Sequence, residues 1–174
     1  MAKLFFTADT HFGHPNIIRC WNRPFASVRE MDRHLIEEWN AVVSDRDIVC
    51  HLGDFCLRRD PRRYLDQLNG QIHLVLGNHD SRPDMERAGR FLTVSKVTEL
   101  RHEGERAILC HHPRMWWPGA EKGVWHLFGH VHGRYDHVPH GRSIDVGVDS
   151  RNYRPMSFEE VADAIRRAEA GRDE

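Results

Sequence analysis

The stretch that most constrains this chain is the apolar run Ile72-His73-Leu74-Val75-Leu76, followed at once by Gly77-Asn78-His79-Asp80. A β-compatible run that breaks at a glycine into an amide, an imidazole and a carboxylate reads as a strand delivering polar side chains into a tight turn. In α/β proteins such strand ends carry the chemistry. Four further segments share the form: Asp9-Thr10-His11, Gly53-Asp54, His111-His112-Pro113 and Gly129-His130-Val131-His132. One polar turn is commonplace. Five of them, each closing a β-like run, point to one shared site.

The segments between them set the architecture. Ser27-Val28-Arg29-Glu30 has the form of a capping box, and Met31, Leu35, Ile36, Trp39, Val42 and Val43 follow at helical spacing, predicting a helix to about Ser44. Pro61 opens a shorter helix through Tyr64, Leu65 and Leu68, stopped by Gly70. Pro15 to Phe25 shows no clean period and reads as an excursion near the mouth of the site. The strand, helix, strand order argues for parallel pairing with right-handed crossovers, which puts Asp9, His11, Asp54, Asn78 and His79 on one sheet edge. After a short helix near Pro83 to Ala88, Phe91 to Leu100 and Arg106 to Cys110 predict a strand pair around Glu103-Gly104-Glu105. Val124 to Phe128 and Ser143 to Val148 are further strands, and Ser157-Phe158-Glu159-Glu160 is a second capping box opening a terminal helix.

At 174 residues the chain is long enough for one self-sufficient core, so residues 1–174 are expected to form a single α/β domain. A net charge of -1 gives no global field to draw a long polyanion or a membrane surface. No segment approaches the roughly 20 apolar residues of a membrane span, and Cys20, Cys50, Cys56 and Cys110 lack a CxxC spacing, so a cytoplasmic protein with reduced, mostly buried thiols is expected. The unusual count is 14 histidines, scattered rather than consecutive, which favours a metal or proton-transfer site.

In their order, Asp-x-His, Gly-Asp, Gly-Asn-His-Asp, a His before an x-Pro pair and Gly-His-x-His resemble the signature of the calcineurin-like metallophosphoesterases, from Asp9 to His132. The resemblance implies a calcineurin-like four-layer α/β/β/α sandwich without a cap domain. It implies that Asp9, His11, Asp54 and His132 hold one divalent ion, and that Asp54, Asn78, His111 and His130 hold a second, with Asp54 bridging. His79 would be catalytic, giving a proton to the leaving group or stabilising the transition state. The reaction implied is in-line attack of metal-bound hydroxide on a phosphodiester. Two ions about 3.5–4 Å apart suit this, because they activate a water and neutralise phosphoryl charge. Mixed N and O ligation without thiolate suits Mn²⁺, Fe, Ni²⁺ or Zn²⁺ better than Ca²⁺ or Mg²⁺, and Mn²⁺ is the ion expected first.

The remaining candidates surround that set. His14 resembles the end of the Asp-Thr-His-Phe-Gly-His opening of a small bacterial and phage subgroup, and is expected near the substrate or behind the ligands. Arg19, Arg23 and Arg58 could grip a phosphate through guanidinium geometry, and Trp116, beside Trp117, could stack on a base or aryl group. Asp80 either orients His79 or caps a helix, and His112, like His51, is expected to support a neighbouring ligand. The expected partner is a phosphodiester: a cyclic nucleotide, a small diester or a nucleic acid end. A homodimer is compatible with the sequence but not specified by it. Two rival functions remain open, a metal-dependent nuclease acting on DNA or RNA and a non-catalytic metal-binding or protein-interaction scaffold of the same fold. Such scaffolds have lost ligands or the catalytic His, and here every expected position is filled.

Overall fold

The computed structural model describes residues 2–57, 60–138 and 141–170. Two sheets form its frame. The first is made of β1 (Leu4–Thr7), β2 (Ile48–His51), β3 (Gln71–Val75), β4 (Phe91–Ser95) and β9 (Met156–Ser157), in the order β4-β3-β2-β1-β9. The second is made of β5 (Val97–His102), β6 (Glu105–Cys110), β7 (Trp125–Phe128) and β8 (Ser143–Asp145), in the order β5-β6-β7-β8. Strands β1 to β4 pair in parallel, from Leu4↔Ile48 to Thr7↔His51 and from Ile48↔Gln71 to His51↔Leu74, so their carboxyl ends share one edge.

Alternation along these short strands divides the core in two. Phe5, Val49, Ile72 and Leu74 face helix α2 (Val28–Val42), helix α3 (Arg62–Leu65) and helix α4 (Arg82–Ala88). Leu4, Phe6, Cys50, Leu52 and Val75 face Ala107, Leu109, Trp125, Leu127 and Ile144 of the second sheet, together with Phe158, Val161 and Ile165 of helix α5 (Phe158–Ala170). The outer face of the second sheet packs Ile108 and Phe128 under Trp117, Val131 and Val138.

Helix α2 forms where its capping box predicts. Ser27 Oγ accepts from the Glu30 amide at 3.2 Å, and Met31, Leu35 and Trp39 line one buried face at i, i+4 and i+8. Burial of each is worth about 1.5–3 kcal/mol. The Trp39 indole N–H, which would be costly to bury unpaired, donates to the Asn69 carbonyl at 3.0 Å. Helix α5 carries the fuller box: the Glu160 amide donates to Ser157 Oγ at 3.2 Å, and the Ser157 amide to Glu160 Oε2 at 2.8 Å.

Two expectations are corrected. Phe91 to Leu100 is two strands, not one: β4 runs parallel to β3, the chain breaks at Lys96, and only β5 forms the antiparallel pair with β6, from Val97↔Cys110 to His102↔Glu105. The segment after Pro15 is not irregular throughout, because Pro15–Cys20 forms helix α1 with its proline in the first turn, where a missing amide costs nothing. Among the described residues no disulfide joins the cysteines, and Cys20 is exposed while the other three are buried.

Candidate metal centre

The loops after β1 and β2 are zipped to each other. The Asp9 amide donates to the Gly53 carbonyl, His11 to Asp54 and Phe12 to Phe55, each at 2.9 Å. The loop after β7 joins them where the His130 amide donates to Asp9 Oδ2 at 2.8 Å, and Gly129 N–H reaches the His111 carbonyl at 2.9 Å. These bonds gather Asp9, His11, Asp54, Asn78, His79, His111, His130 and His132 from five strand ends. The approach is so close that a Cβ at Gly77 would lie 2.1 Å from Asp54 Oδ1, and one at Gly129 would lie 2.5 Å from Asp9 Oδ2. Glycine is required at both positions.

Asp54 sits at the middle. Its Oδ2 lies 3.5 Å from His11 Nε2, 3.4 Å from His111 Nε2 and 3.9 Å from His79 Nε2. Its Oδ1 accepts the His79 amide at 2.9 Å. Burial alone would raise this carboxyl, but the His111 hydrogen bond and the neighbouring imidazoles outweigh it and hold the group well below the usual carboxylate range. His111 answers in the opposite sense. Its burial favours the neutral ring, yet Asp54 and Asp9 hold it up to about 9, so a proton on His111 offsets the buried negative charge. His111 Nδ1 donates to the Leu52 carbonyl at 2.8 Å, which turns Nε2 toward Asp54 and places it 3.1 Å from Asn78 Oδ1.

Several donor atoms have no hydrogen-bond partner among the described residues. Asp9 Oδ1 and both ring nitrogens of His11 are buried and unpartnered. Burial brings the His11 pKa down to about 2, leaving a neutral ring with a lone pair to give, and raises Asp9 well above its ordinary value. Groups left like this are costly unless something else satisfies them. Ligand atoms of Asp9, His11 and His132 lie within 4.8 Å of one another, and so do those of Asp9, Asp54 and His111, and of His111, His112 and His130. The donor set is carboxylate and imidazole, which fits borderline divalent ions.

The backbone carries a second mark of this site. Among the described residues nine non-glycine residues have positive φ, and five of them are Asp9 (60°), His11 (49°), Asp54 (55°), His130 (71°) and His132 (50°). The left-handed region costs roughly 1 kcal/mol or more per such residue. His130 and His132, at i and i+2, would share one face of an extended segment; in left-handed backbone they instead serve different clusters, His132 with Asp9 and His11 and His130 with His111 and His112.

The outer candidates divide. His14 is at the site, its ring 5.5 Å from His11 and 5.9 Å from His79, and His112 is at the site, its ring 4.3 Å from His130. His51 lies behind it, with Nε2 3.0 Å from Thr10 Oγ1 and Nδ1 accepting the Gly53 amide at 3.2 Å. Asp80 is not a helix cap, since the N-cap of α4 is Ser81. Its carboxylate accepts the amides of Gly77 and Asp54 at 2.8 Å and of Phe55 at 2.9 Å, so it ties two ligand loops together instead of orienting the His79 ring. Arg23 is no substrate grip: it is 4 % exposed and its guanidinium is spent on Asp149 and on the carbonyls of Asp9 and Thr10. Arg19 is exposed and bonds Asn16 Oδ1 at 3.3 Å. Trp116 is exposed, and Trp117 beside it is buried against Ile108 and Phe128 on the outer face of the second sheet. Arg58 lies outside the described residues.

Sequence reasoning missed Asp149. Its Oδ2 accepts from His132 Nδ1 at 2.7 Å, and it is gripped by Arg23 through Nε at 2.7 Å and a terminal nitrogen at 2.8 Å. Burial would raise the Asp149 carboxyl, but these donors hold it below the usual range. No local pattern marks an aspartate 126 residues from its arginine partner.

The chain matches the family model described as calcineurin-like phosphoesterase over residues 2–168. It is 36% identical over 181 residues to the uncharacterized protein MJ1445 of Methanocaldococcus jannaschii, covering 99% of this chain and 96% of that one. It is 29% identical over 206 residues to the gene 66 protein of Mycobacterium phage D29, covering 98% and 100%. Among solved structures, a protein of unknown function from Aquifex aeolicus superposes with a TM-score of 0.78 at 24% identity, covering 94% of this chain and 100% of that one. A structure described as a novel archaeal phosphodiesterase superposes with a TM-score of 0.52 at 20% identity, covering 83% of each chain. At these identities the two structures share the fold.

Proposed function

Because the chain belongs to the calcineurin-like phosphoesterase family, we propose that it is a dinuclear metal-dependent phosphodiesterase, with residues 1–174 acting as one catalytic domain. One observation carries the reading. A buried, ionised Asp54 lies between His11 and His111 at 3.5 and 3.4 Å, with the His79 imidazole at 3.9 Å on the open side. Asp9, His11, Asp54 and His132 would hold one ion, and Asp54, Asn78, His111 and His130 the other. Bound there, two divalent ions supply Lewis acidity to the phosphoryl oxygens and lower the pKa of a water. The N and O donor set suits Mn²⁺, Fe, Ni²⁺ or Zn²⁺ alike, and of these we propose Mn²⁺ as the working ion.

The protein's own groups do the rest. Asp54 keeps its negative charge at neutral pH, and its Oδ2 faces both His11 and His111, so one carboxylate would serve both ions. The His79 backbone is fixed by Asp54 Oδ1, while its side chain is 42% exposed and projects from the same turn as Asn78. An imidazole so placed can give its proton to a departing alkoxide. Asn78 and His79 are exposed, and no long insertion covers them among the described residues, so a substrate esterified on both sides can enter. That openness favours a diester. Cyclic nucleotides, small diesters and nucleic acid ends all fit this reading, and neither a membrane nor a partner chain is needed for it. Among the described residues no helix is long and apolar enough to cross a membrane.

The test is Mn²⁺-dependent hydrolysis of bis(p-nitrophenyl) phosphate beside p-nitrophenyl phosphate, for the wild type, Asp54→Asn and His79→Ala. Diester cleavage that is lost in Asp54→Asn and falls at least ~100-fold in His79→Ala, with metal stoichiometry retained in the latter, supports the assignment. Two ions bound per chain with no turnover of any diester, including cyclic nucleotides and single-stranded and duplex DNA or RNA, would sink it in favour of a scaffold.

A further inference from the structure

His132 is held on three sides by residues outside the set that would bind the other ion. Asp149 Oδ2 takes its Nδ1 at 2.7 Å. Trp21 stacks on its ring at 4.1 Å between centroids and 17° between planes, and the His11 ring stacks on it at 5.2 Å and 15°. The Arg134 guanidinium lies over the Trp21 ring at 4.5 Å. Behind Asp149, Arg23 donates to both carboxylate oxygens and also to the carbonyls of Asp9, at 2.6 Å, and Thr10, at 3.2 Å. The arginine side chain is fully buried, which is tolerable only because every bond it makes is to an acceptor already in place.

We propose that Asp149, braced by Arg23, is the positioning residue of His132 and sets the affinity of the Asp9, His11 and His132 half of the centre for its ion. This inference rests on the metal-centre reading given above. The physics is that of tautomer control. A carboxylate accepts and cannot donate, so in the neutral ring the His132 proton must sit on Nδ1 and the lone pair on Nε2. The carboxylate also raises the basicity of the ring it bonds, which strengthens it as a ligand. Arg23 prevents Asp149 from turning away and registers it against the Asp9 and Thr10 backbone, so one guanidinium sets the position of two ligands 123 residues apart in the chain. The stacked Trp21 and His11 rings remove the remaining freedom, rotation of the imidazole about its own bond.

Two measurements decide it. The first is the ¹⁵N spectrum of the imidazoles in metal-free wild-type protein, with His132→Gln used to assign the signal. The expected result is a single Nδ1–H tautomer for His132; an Nε2–H tautomer or a fast mixture overturns the proposal without any variant having to fold. The second is Mn²⁺ titration followed by electron paramagnetic resonance, for wild type, Asp149→Ala and Asp149→Glu. Asp149→Ala should weaken one of the two sites by about 10–100-fold and leave the other within twofold, with partial recovery in Asp149→Glu. Both sites weakened alike, or neither, overturns it. If the wild type binds no Mn²⁺, the metal-centre reading fails by itself, while the tautomer still tests the brace.

Discussion

Replacing Asp80 with asparagine changes one atom and should loosen two ligand loops at once. In the wild type Oδ2 accepts from Gly77 and Asp54 at 2.8 Å each, and Oδ1 from Phe55 at 2.9 Å. In Asp80→Asn the best arrangement keeps the amide oxygen on Gly77 and Asp54 and turns the NH₂ toward the Phe55 amide, donor against donor. Two bonds lose their charge, at about 1 kcal/mol each, and one amide loses its acceptor, at about 1–3 kcal/mol. Against this stands the relief of burying a neutral group in place of a carboxylate whose pKa burial raises. The net is a loss of about 2–4 kcal/mol, or roughly 5–15 °C in Tm for a domain of this size. Urea unfolding in chelator, followed by circular dichroism, reads it without reference to catalysis. A change under about 0.5 kcal/mol would refute the role of Asp80 as the acceptor of these three amides, since surface changes fall in that range.

Other outcomes follow from the same geometry. Gly77→Ala should lose stability and metal affinity together, because the new Cβ would lie 2.1 Å from Asp54 Oδ1 and 2.4 Å from the Asp54 amide nitrogen; overpacking against backbone costs about 3 kcal/mol or more, and urea unfolding in chelator beside calorimetry with Mn²⁺ would show the coupled loss. His126 is fully buried, donating Nδ1 to the Ile108 carbonyl at 3.1 Å and accepting the Arg114 amide at 3.0 Å, with its pKa lowered by burial to about 4. Its contribution is complete above the unfolded pKa of about 6.5 and is lost as pH falls toward 4, so the acid limb should hold about 3 kcal/mol that His126→Gln removes; identical limbs in the two proteins would contradict it. Ser157→Ala removes the α5 cap, whose Oγ accepts the Glu160 amide at 3.2 Å, and should cost about 1 kcal/mol in chemical denaturation with activity unchanged.

The parts of this molecule legible in the sequence are those written locally. Each strand ends within a residue or two of its polar turn, so Asp9, His11, Asp54, Asn78, His79, His111, His130 and His132 stand out from the sequence alone, and both capping boxes name their own helix starts. What the sequence does not show depends on choices made across the chain. Phe91 to Leu100 is β-like throughout, and only the competition between β3 and β6 for partners breaks it at Lys96. Arg23 looks like any arginine of an irregular loop until Asp149, Asp9 and Thr10 close around it. Asp80 sits next to His79 in the sequence, yet its bonds run to Asp54 and Phe55, 26 and 25 residues away.

The left-handed backbone at Asp9, His11, Asp54, His130 and His132 also constrains how such a chain can decay. A lineage that gave up its chemistry would gain stability at each of these positions by drifting to glycine or asparagine, which tolerate that conformation, and would gain nothing from the valine or isoleucine that ordinarily fills a strand end. The retirement of this centre would therefore leave a trail of small, conformationally permissive residues at five dispersed positions. A descendant could be recognised as a former bearer of this cluster by its glycines after the last histidine had gone.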